Sequence, residues 1–254
     1  MQIFEISFSP TGGTQKVAAI ITSALEGTVT SVDLANSQTD AHTLTLTQED
    51  VAVIAVPSYG GRVPTCAAER LAMVHGNQAR AVLVCVYGNR AYEDTLVELQ
   101  DTAKRAGFRV IAAVAAIAEH SIVRRVAAGR PDAQDIQTLS AFAQKIQQKI
   151  AAGDTTEPDI PGNRPYKKAA GVGMVPKPTR ACTQCGVCAA ACPVQAIDRK
   201  NPKKVDGHAC ISCMRCISVC PHAARKVNSV LLSVAGLALQ KMCAERKNSE
   251  LFLS

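Results

Sequence analysis

A doubly wound α/β sheet followed by a small cysteine-rich unit is the fold class that this 254-residue sequence predicts. Residues 1–152 alternate apolar runs with helix-like segments, and eight of the eleven cysteines crowd between Cys182 and Cys220. A proline- and glycine-rich stretch separates the two.

The strand candidates are 2–8 (QIFEISF), 28–34 (TVTSVDL), 51–57 (VAVIAVP), 81–87 (AVLVCVY) and 110–118 (VIAAVAAIA). The runs at 51–56 and 81–86 are apolar throughout, as in parallel strands covered on both faces. Helix candidates at 13–26, 64–75, 91–106 and 133–151 alternate with them. The last spaces Ile136, Leu139, Phe142, Ala143, Ile146 and Ile150 on one helical face and stops at Gly153. Such alternation is the pattern of a doubly wound sheet. Residues 153–181, with five prolines and four glycines, read as a linker draped over the surface. The cysteine-rich domain follows at 182–226. Residues 227–254 read as an amphipathic helix (227–243) and a tail, packed back onto the rest.

The composition, 47% hydrophobic and 19% charged, is that of a globular chain. The start has no basic region or cleavage-like segment, and the late apolar stretch 230–239 is shorter than the ~20 residues that cross a bilayer. The expectation is a cytoplasmic protein without a membrane span. Disulfides are not expected there, and a dense cysteine cluster points to metal. Cys66 and Cys85 sit in apolar contexts as core residues, and Cys243 belongs to the tail helix.

Residues 182–193 (CTQCGVCAAACP) and 210–221 (CISCMRCISVCP) both read C-x2-C-x2-C-x3-C-P. This run ligates a four-iron cluster, and the fourth cysteine of each run serves the other cluster. On that rule one [4Fe–4S] cluster takes Cys182, Cys185, Cys188 and Cys220. The other takes Cys210, Cys213, Cys216 and Cys192. Zinc is the rival, but it seldom needs four cysteines in one short run, twice, each followed by proline. The segment resembles a bacterial-type two-cluster ferredoxin, which implies low-potential one-electron transfer.

Charge is uneven. Residues 1–153 carry 13 Lys and Arg against 14 Asp and Glu, whereas 154–254 carry 15 against 7. The excess offsets cluster charge, forms a solvated surface, or docks acidic redox partners. Nucleic acid is not an expected partner, because RKNPKK (199–204) is a short turn without interleaved aromatics.

The first strand runs into SPTGGT (9–14). It lacks the Gly-Lys-Ser/Thr ending of an NTP loop and the GxGxxG spacing of a dinucleotide site. What remains is a cup of backbone N–H groups and hydroxyls, from Ser9, Thr11, Gly12, Gly13 and Thr14, suited to a terminal monophosphate at a helix N-terminus. The pattern resembles the flavodoxin loop S-x-T-G-x-T, which holds the phosphate of FMN. That resemblance covers 1–152 and implies a five-stranded parallel sheet of order 2-1-3-4-5.

Two further loops fit it. PSYGGRVP (57–64) offers Ser58, Tyr59, Gly60 and Gly61, with Tyr59 matching one stacking aromatic and Gly60 the peptide that reorients toward flavin N5. VYGNRAY (86–92) offers Tyr87, Gly88, Asn89 and Tyr92, with Tyr92 matching the second aromatic. Three of only four tyrosines fall in these loops. Asn89 stands where flavodoxins usually have aspartate. Arg62 and Arg90 lie nearby, and an arginine beside the ring raises the flavin's potential. His120, in the loop after the fifth strand, is a candidate proton donor or substrate contact.

The whole chain resembles flavodoxin–ferredoxin fusion proteins of anaerobes, the EFR-type ferredoxins. The resemblance implies an electron carrier in which two [4Fe–4S] clusters exchange electrons with FMN and with redox partner proteins. The alternative is an FMN-dependent reductase of a small organic substrate, with Arg62, Arg90 and His120 over the ring. A third reading is a zinc-bearing interaction module. A homodimer is compatible with all of them.

Overall fold

The five strand candidates become parallel strands: β1 (Gln2–Ser7), β2 (Thr28–Asp33), β3 (Val51–Pro57), β4 (Arg80–Tyr87) and β5 (Arg109–Ile117). The computed structural model describes residues 1–169 and 173–254, so 170–172 of the expected linker lie outside the described residues. The strand order is β2-β1-β3-β4-β5, all parallel. This is the flavodoxin-like doubly wound arrangement, whose chain reversal opens a crevice at the carboxyl ends of the strands. β3 is buried at six of seven positions, and polar β2 is the exposed edge.

Helices α1 (Gly13–Thr22) and α4 (Ala133–Ala151) cover one face, and α2 (Thr65–Leu71) and α3 (Thr95–Arg105) the other. α4 starts with a capping box, in which Asp132 accepts from the Asp135 N–H and Asp135 accepts in return from the Asp132 N–H. Its buried stripe is Leu139, Ala143, Ile146 and Ile150, whereas Ile136 is exposed. Ile136, spaced with that stripe in the sequence, does not share its burial. α3 starts at Thr95, not 91, because 91–94 stay in the β4 loop and Asp94 precedes the first turn.

The cysteine-rich region is small. A two-residue hairpin pairs β6 (Lys177–Pro178) with β7 (Arg225–Lys226), and one-turn helices α5 (Val187–Ala190) and α6 (Arg215–Ser218) lie between. Its buried apolar cluster holds five residues, among them Cys188, Cys192 and Ile197. The tail helix α7 (Ser229–Met242) is capped by Asn228, which accepts from the Val230 and Leu231 N–H groups. The expectation that α7 packs its apolar face back onto the chain is corrected. Val230, Leu231, Val234 and Leu237 are exposed, and Gly236, against Arg125, is its one buried residue.

Beyond α7 the chain returns to the first sheet. β8 (Glu250–Phe252) adds antiparallel to β5 as a sixth strand, where five were expected. Asn89 anchors this return. Its amide donates to the Cys243 and Glu245 carbonyls (3.2 and 2.8 Å), and its carbonyl oxygen accepts the Lys247 N–H (3.0 Å). Arg246 pairs with Asp132 (2.7 Å), and Arg130, itself paired with buried Asp135, donates to the Lys247 carbonyl (3.0 Å). An aspartate at 89 would replace two buried donors with a carboxylate facing two carbonyls. Asn89→Asp is therefore expected to cost about 2 kcal/mol, read as a lower midpoint in denaturant melts and faster proteolysis of the 243–253 tail.

Candidate functional site

At the carboxyl edge of the sheet lies a cavity of about 450 Å³. Its walls come from the loops after β1 (Pro10, Thr11, Gly13, Thr14), β3 (57–65), β4 (86–88, 90 and 91) and β5 (118–122). The cysteine-rich region closes it with His208, Cys210, Ile211 and Ser212. This is the switch-point crevice where ligands bind in open α/β sheets.

The first loop ends in Gly12 at φ 89°, a left-handed cap that glycine adopts without strain. Gly12 itself has no side chain to cap the first helical amides. Thr11, Gly13 and Thr14 line the cavity, and Thr14 is buried. Ser9 and Gly12 do not line it. The Ser9 hydroxyl accepts the Gln15 N–H (2.9 Å) and braces the turn from behind.

The β3 loop reverses at Gly60 (φ 62°) and Gly61 (φ 83°), with Tyr59 and Arg62 exchanging backbone hydrogen bonds. A Cβ on Gly61 would fall 1.8 Å from the Glu93 carboxylate. Ser58, Tyr59, Gly60, Gly61, Tyr87 and Gly88 all line the cavity. Burial, with the nearby Cys213 and Cys66 thiols, raises the Tyr59 hydroxyl well above its ordinary value. Asn89 and Tyr92 are not among the lining residues. Tyr92 packs edge-on against Tyr87 (5.3 Å between centroids) and its hydroxyl meets Glu250 of β8 (3.1 Å). Both residues face the returning tail, which local pattern could not reveal.

The three candidate polar groups are already engaged. Arg62 forks onto Glu98 (2.7 Å on each arm), donates to the Lys167 carbonyl and lies over the Tyr166 ring. Arg90 pairs with Glu93 (3.0 Å). His120 Nδ1 accepts the Ile122 and Val123 N–H groups (3.2 and 3.1 Å), so the ring proton sits on Nε2 and the ring is neutral. All three line the cavity.

The eight thiols surround two smaller voids. Cys182, Cys185, Cys188 and Cys220 line one, and Cys192, Cys210, Cys213 and Cys216 the other. Left-handed residues after the first cysteines (Gln184 φ 60°, Gly186 φ 80°, Ser212 φ 54°, Met214 φ 63°) curl each loop around its void. Main-chain N–H groups point at sulfur, from Ser212 to Cys210 (3.4 Å) and from Ala224 to Cys220 (3.2 Å). Burial pushes the Cys213 and Cys216 thiols up to about 12. Among the described residues no three His, Cys, Asp or Glu side chains converge on a single-ion position.

Between the voids lies Arg225, 2% exposed and one of nine basic residues at 173–228. Its Nε donates to Cys188 Sγ (3.1 Å), and its Nη groups to the Pro176 (3.4 Å) and Pro202 carbonyls. Among the described residues no carboxylate meets it. Cys188 and Pro202 line the first void and Pro176 the second, so the buried cation touches both.

Residues 181–224 match the family described as a 4Fe-4S dicluster domain. No curated protein matches the chain. Among solved structures, a flavodoxin from the domain Archaea is similar over 59% of this chain and 99% of its own, at 13% identity and TM-score 0.44. The Streptococcus pneumoniae TIGR4 flavodoxin covers the same shares at 19% identity and TM-score 0.41. A WrbA-like flavodoxin from Agrobacterium tumefaciens covers 61% and 99% at 14% identity and TM-score 0.43. The strand order carries the fold assignment by itself. Among the described residues no helix is long and apolar enough to cross a membrane.

Burial, with Arg90 nearby, lowers the His120 pKa from its ordinary value. The unfolded chain then takes up the proton first as pH falls below about 6.5, and the stability of the neutral ring is lost toward the lower folded pKa. The drop in thermal stability between about pH 7 and pH 5 is expected to be smaller in His120→Gln than in the wild type. Parallel melts of the two proteins at both values check it.

Proposed function

We propose that the chain is an iron–sulfur flavoprotein of the flavodoxin–ferredoxin fusion type, moving electrons between two [4Fe–4S] clusters and FMN. One observation carries the reading: Cys210 and Ile211 line both the second thiol void and the large cavity. A carrier bound in the void and a ring bound in the cavity would share one wall. The dicluster match and the doubly wound sheet support the same pairing of cofactors.

Cys182, Cys185, Cys188 and Cys220 would hold one cluster, and Cys192, Cys210, Cys213 and Cys216 the other, the exchange of fourth ligands that two-cluster ferredoxins use. Thr11, Thr14 and the amides of Gly12 and Gly13 would hold the FMN phosphate, braced by Ser9. Tyr59, Gly60, Tyr87 and Gly88 would hold the ring. FMN supplies the ability to take electrons singly and store two. The protein's part is to hold the ring against Cys210 and shut out water. In this reading 1–152 is the flavin domain, 153–181 the linker, 182–226 the cluster domain and 227–254 the helix and tail. The reductase alternative loses support because Arg62 and Arg90 are ion-paired and residues 208–212 close the cavity.

Anaerobic purification tests the reading through composition. The expected content per chain is one FMN with about eight iron and eight acid-labile sulfide. Zinc in place of iron, or a chain that neither retains nor rebinds FMN, overturns it.

Arg225 gives a second readout. A buried guanidinium without a carboxylate needs an anion, and thiolate-bound clusters supply one. Arg225→Gln is expected to move both clusters to more negative potentials, while Arg225→Lys, which keeps the charge, moves them less. Anaerobic redox titration followed by spin resonance measures both shifts.

A further inference from the structure

We infer that the basic face around the first thiol void docks an acidic one-electron carrier protein, making that void the port through which electrons enter. The inference rests on the cofactor reading above and adds a partner class and a direction to it.

Residues 173–228 carry nine Lys and Arg against two Asp. Two of the nine have structural partners: Arg225 is buried on Cys188, and Arg215 reaches Asp33 of the first sheet (3.6 Å). The other seven, Lys177, Arg180, Arg199, Lys200, Lys203, Lys204 and Lys226, are exposed. Among the described residues none of the seven stands in an ion pair. They gather at one end. Arg180 lies two residues before Cys182, Lys203 follows Pro202, and Lys226 follows Arg225, all three neighbours being lining residues of the first void. The Arg225 guanidinium bonds the Pro202 carbonyl and so ties the 199–204 turn to the β6–β7 hairpin.

Lys177 and Lys226 are direct cross-strand partners in that hairpin. Like charges facing each other across strands are destabilising, and among the described residues no acidic side chain pairs with either one. Offsetting cluster charge does not account for them, since exposed ammonium groups are screened by water and salt. Buried Arg225 fills that role. A complementary acidic surface is what such a face recognises.

The two voids differ in access. Cys185, on the first, is exposed, whereas Cys192 and Cys213, on the second, are buried, and Cys210 forms part of the cavity wall. An external carrier thus meets the first void, while the second faces the flavin cavity. The step is one electron lost by the reduced carrier and one gained at the first void, with no bond made or broken. A nucleic acid would want bases stacked on aromatic rings, and residues 173–228 hold no Phe, Tyr or Trp.

The test pairs binding with kinetics, using an acidic plant-type [2Fe–2S] ferredoxin as the probe. Calorimetry of the two oxidised proteins is expected to show binding that weakens as salt rises from about 0.05 to 0.5 M. Anaerobic stopped-flow mixing with the photoreduced ferredoxin is expected to show the same salt dependence in the reduction rate. The variant Lys177→Glu/Lys203→Glu/Lys226→Glu should bind and react at least about tenfold more weakly at low salt, with the dependence abolished. Reduction by an uncharged photoreduced deazaflavin should be unchanged. The exposed-turn variant Lys203→Glu/Lys204→Glu should show a smaller loss of the same kind, and it stands in if the triple variant fails to fold. Variants that keep iron and FMN, yet bind and react like the wild type, overturn the docking site alone. So does a single-stranded oligonucleotide that binds this face and displaces the ferredoxin. A wild-type chain without iron or flavin overturns the cofactor reading as well.

Discussion

Two anchors on one sheet hold the cysteine-rich region where it is. On the way out, the linker is fixed against α3: Asp94 accepts the Asn163 and Lys167 N–H groups (2.9 and 2.7 Å), and Arg164 pairs with Asp101 (2.8 Å). On the way back, Asn89, Arg130 and Asp132 grip residues 243–247 and β8 extends the sheet. Everything from the hairpin to α7 is a loop closed at both ends on the first unit. Direct contacts finish the docking, with Arg70 donating to the Pro193 carbonyl and Arg215 reaching Asp33. Without these ends the cavity would be an open crevice. With them, a thiol loop forms its far wall.

This arrangement explains which features could be read from sequence. β3, β4 and β5 were legible because parallel strands covered on both faces must be apolar throughout, and each run is bounded by polar residues. The division of the thiols between two voids was legible because the spacing rule already contains the exchange of fourth cysteines. Tyr92, Asn89 and β8 were not. Their partners lie more than 130 residues away in sequence, and no local periodicity encodes a tail that comes home. Three residues of β8 are too few to show a pattern of their own. Arg225 was hidden for another reason. In sequence it is one basic residue among many, and only its burial beside sulfur sets it apart.

The identity of residue 89 shows how one departure from a pattern acquires a cause. With φ 62°, the position suits Asn, Asp or Gly. The carbonyls of Cys243 and Glu245 decide among them, because they require donors and a carboxylate has none. An aspartate belongs where a loop closes on itself. An asparagine belongs where it must also close on a returning chain.

The cations of this protein divide by burial, and the division bears on what the cavity can do. Arg62 and Arg90 line the cavity, and they and Arg130 are each matched to a carboxylate, so they brace loops and add little net field to the cavity. Arg225 is matched only to sulfur and carbonyl oxygen, so its charge is felt where electrons would rest. Among the described residues, the surface cations Lys177, Arg180, Arg199, Lys200, Lys203, Lys204 and Lys226 stand in no ion pair. A five-residue apolar cluster is too small to order such a region unaided, and metal–thiolate bonds are the usual remedy at this size. On the proposed reading, order in the thiol loops, neutralisation of Arg225 and closure of the cavity by Cys210 and Ile211 would be one event, and a flavin site would be complete only with the region beside it loaded.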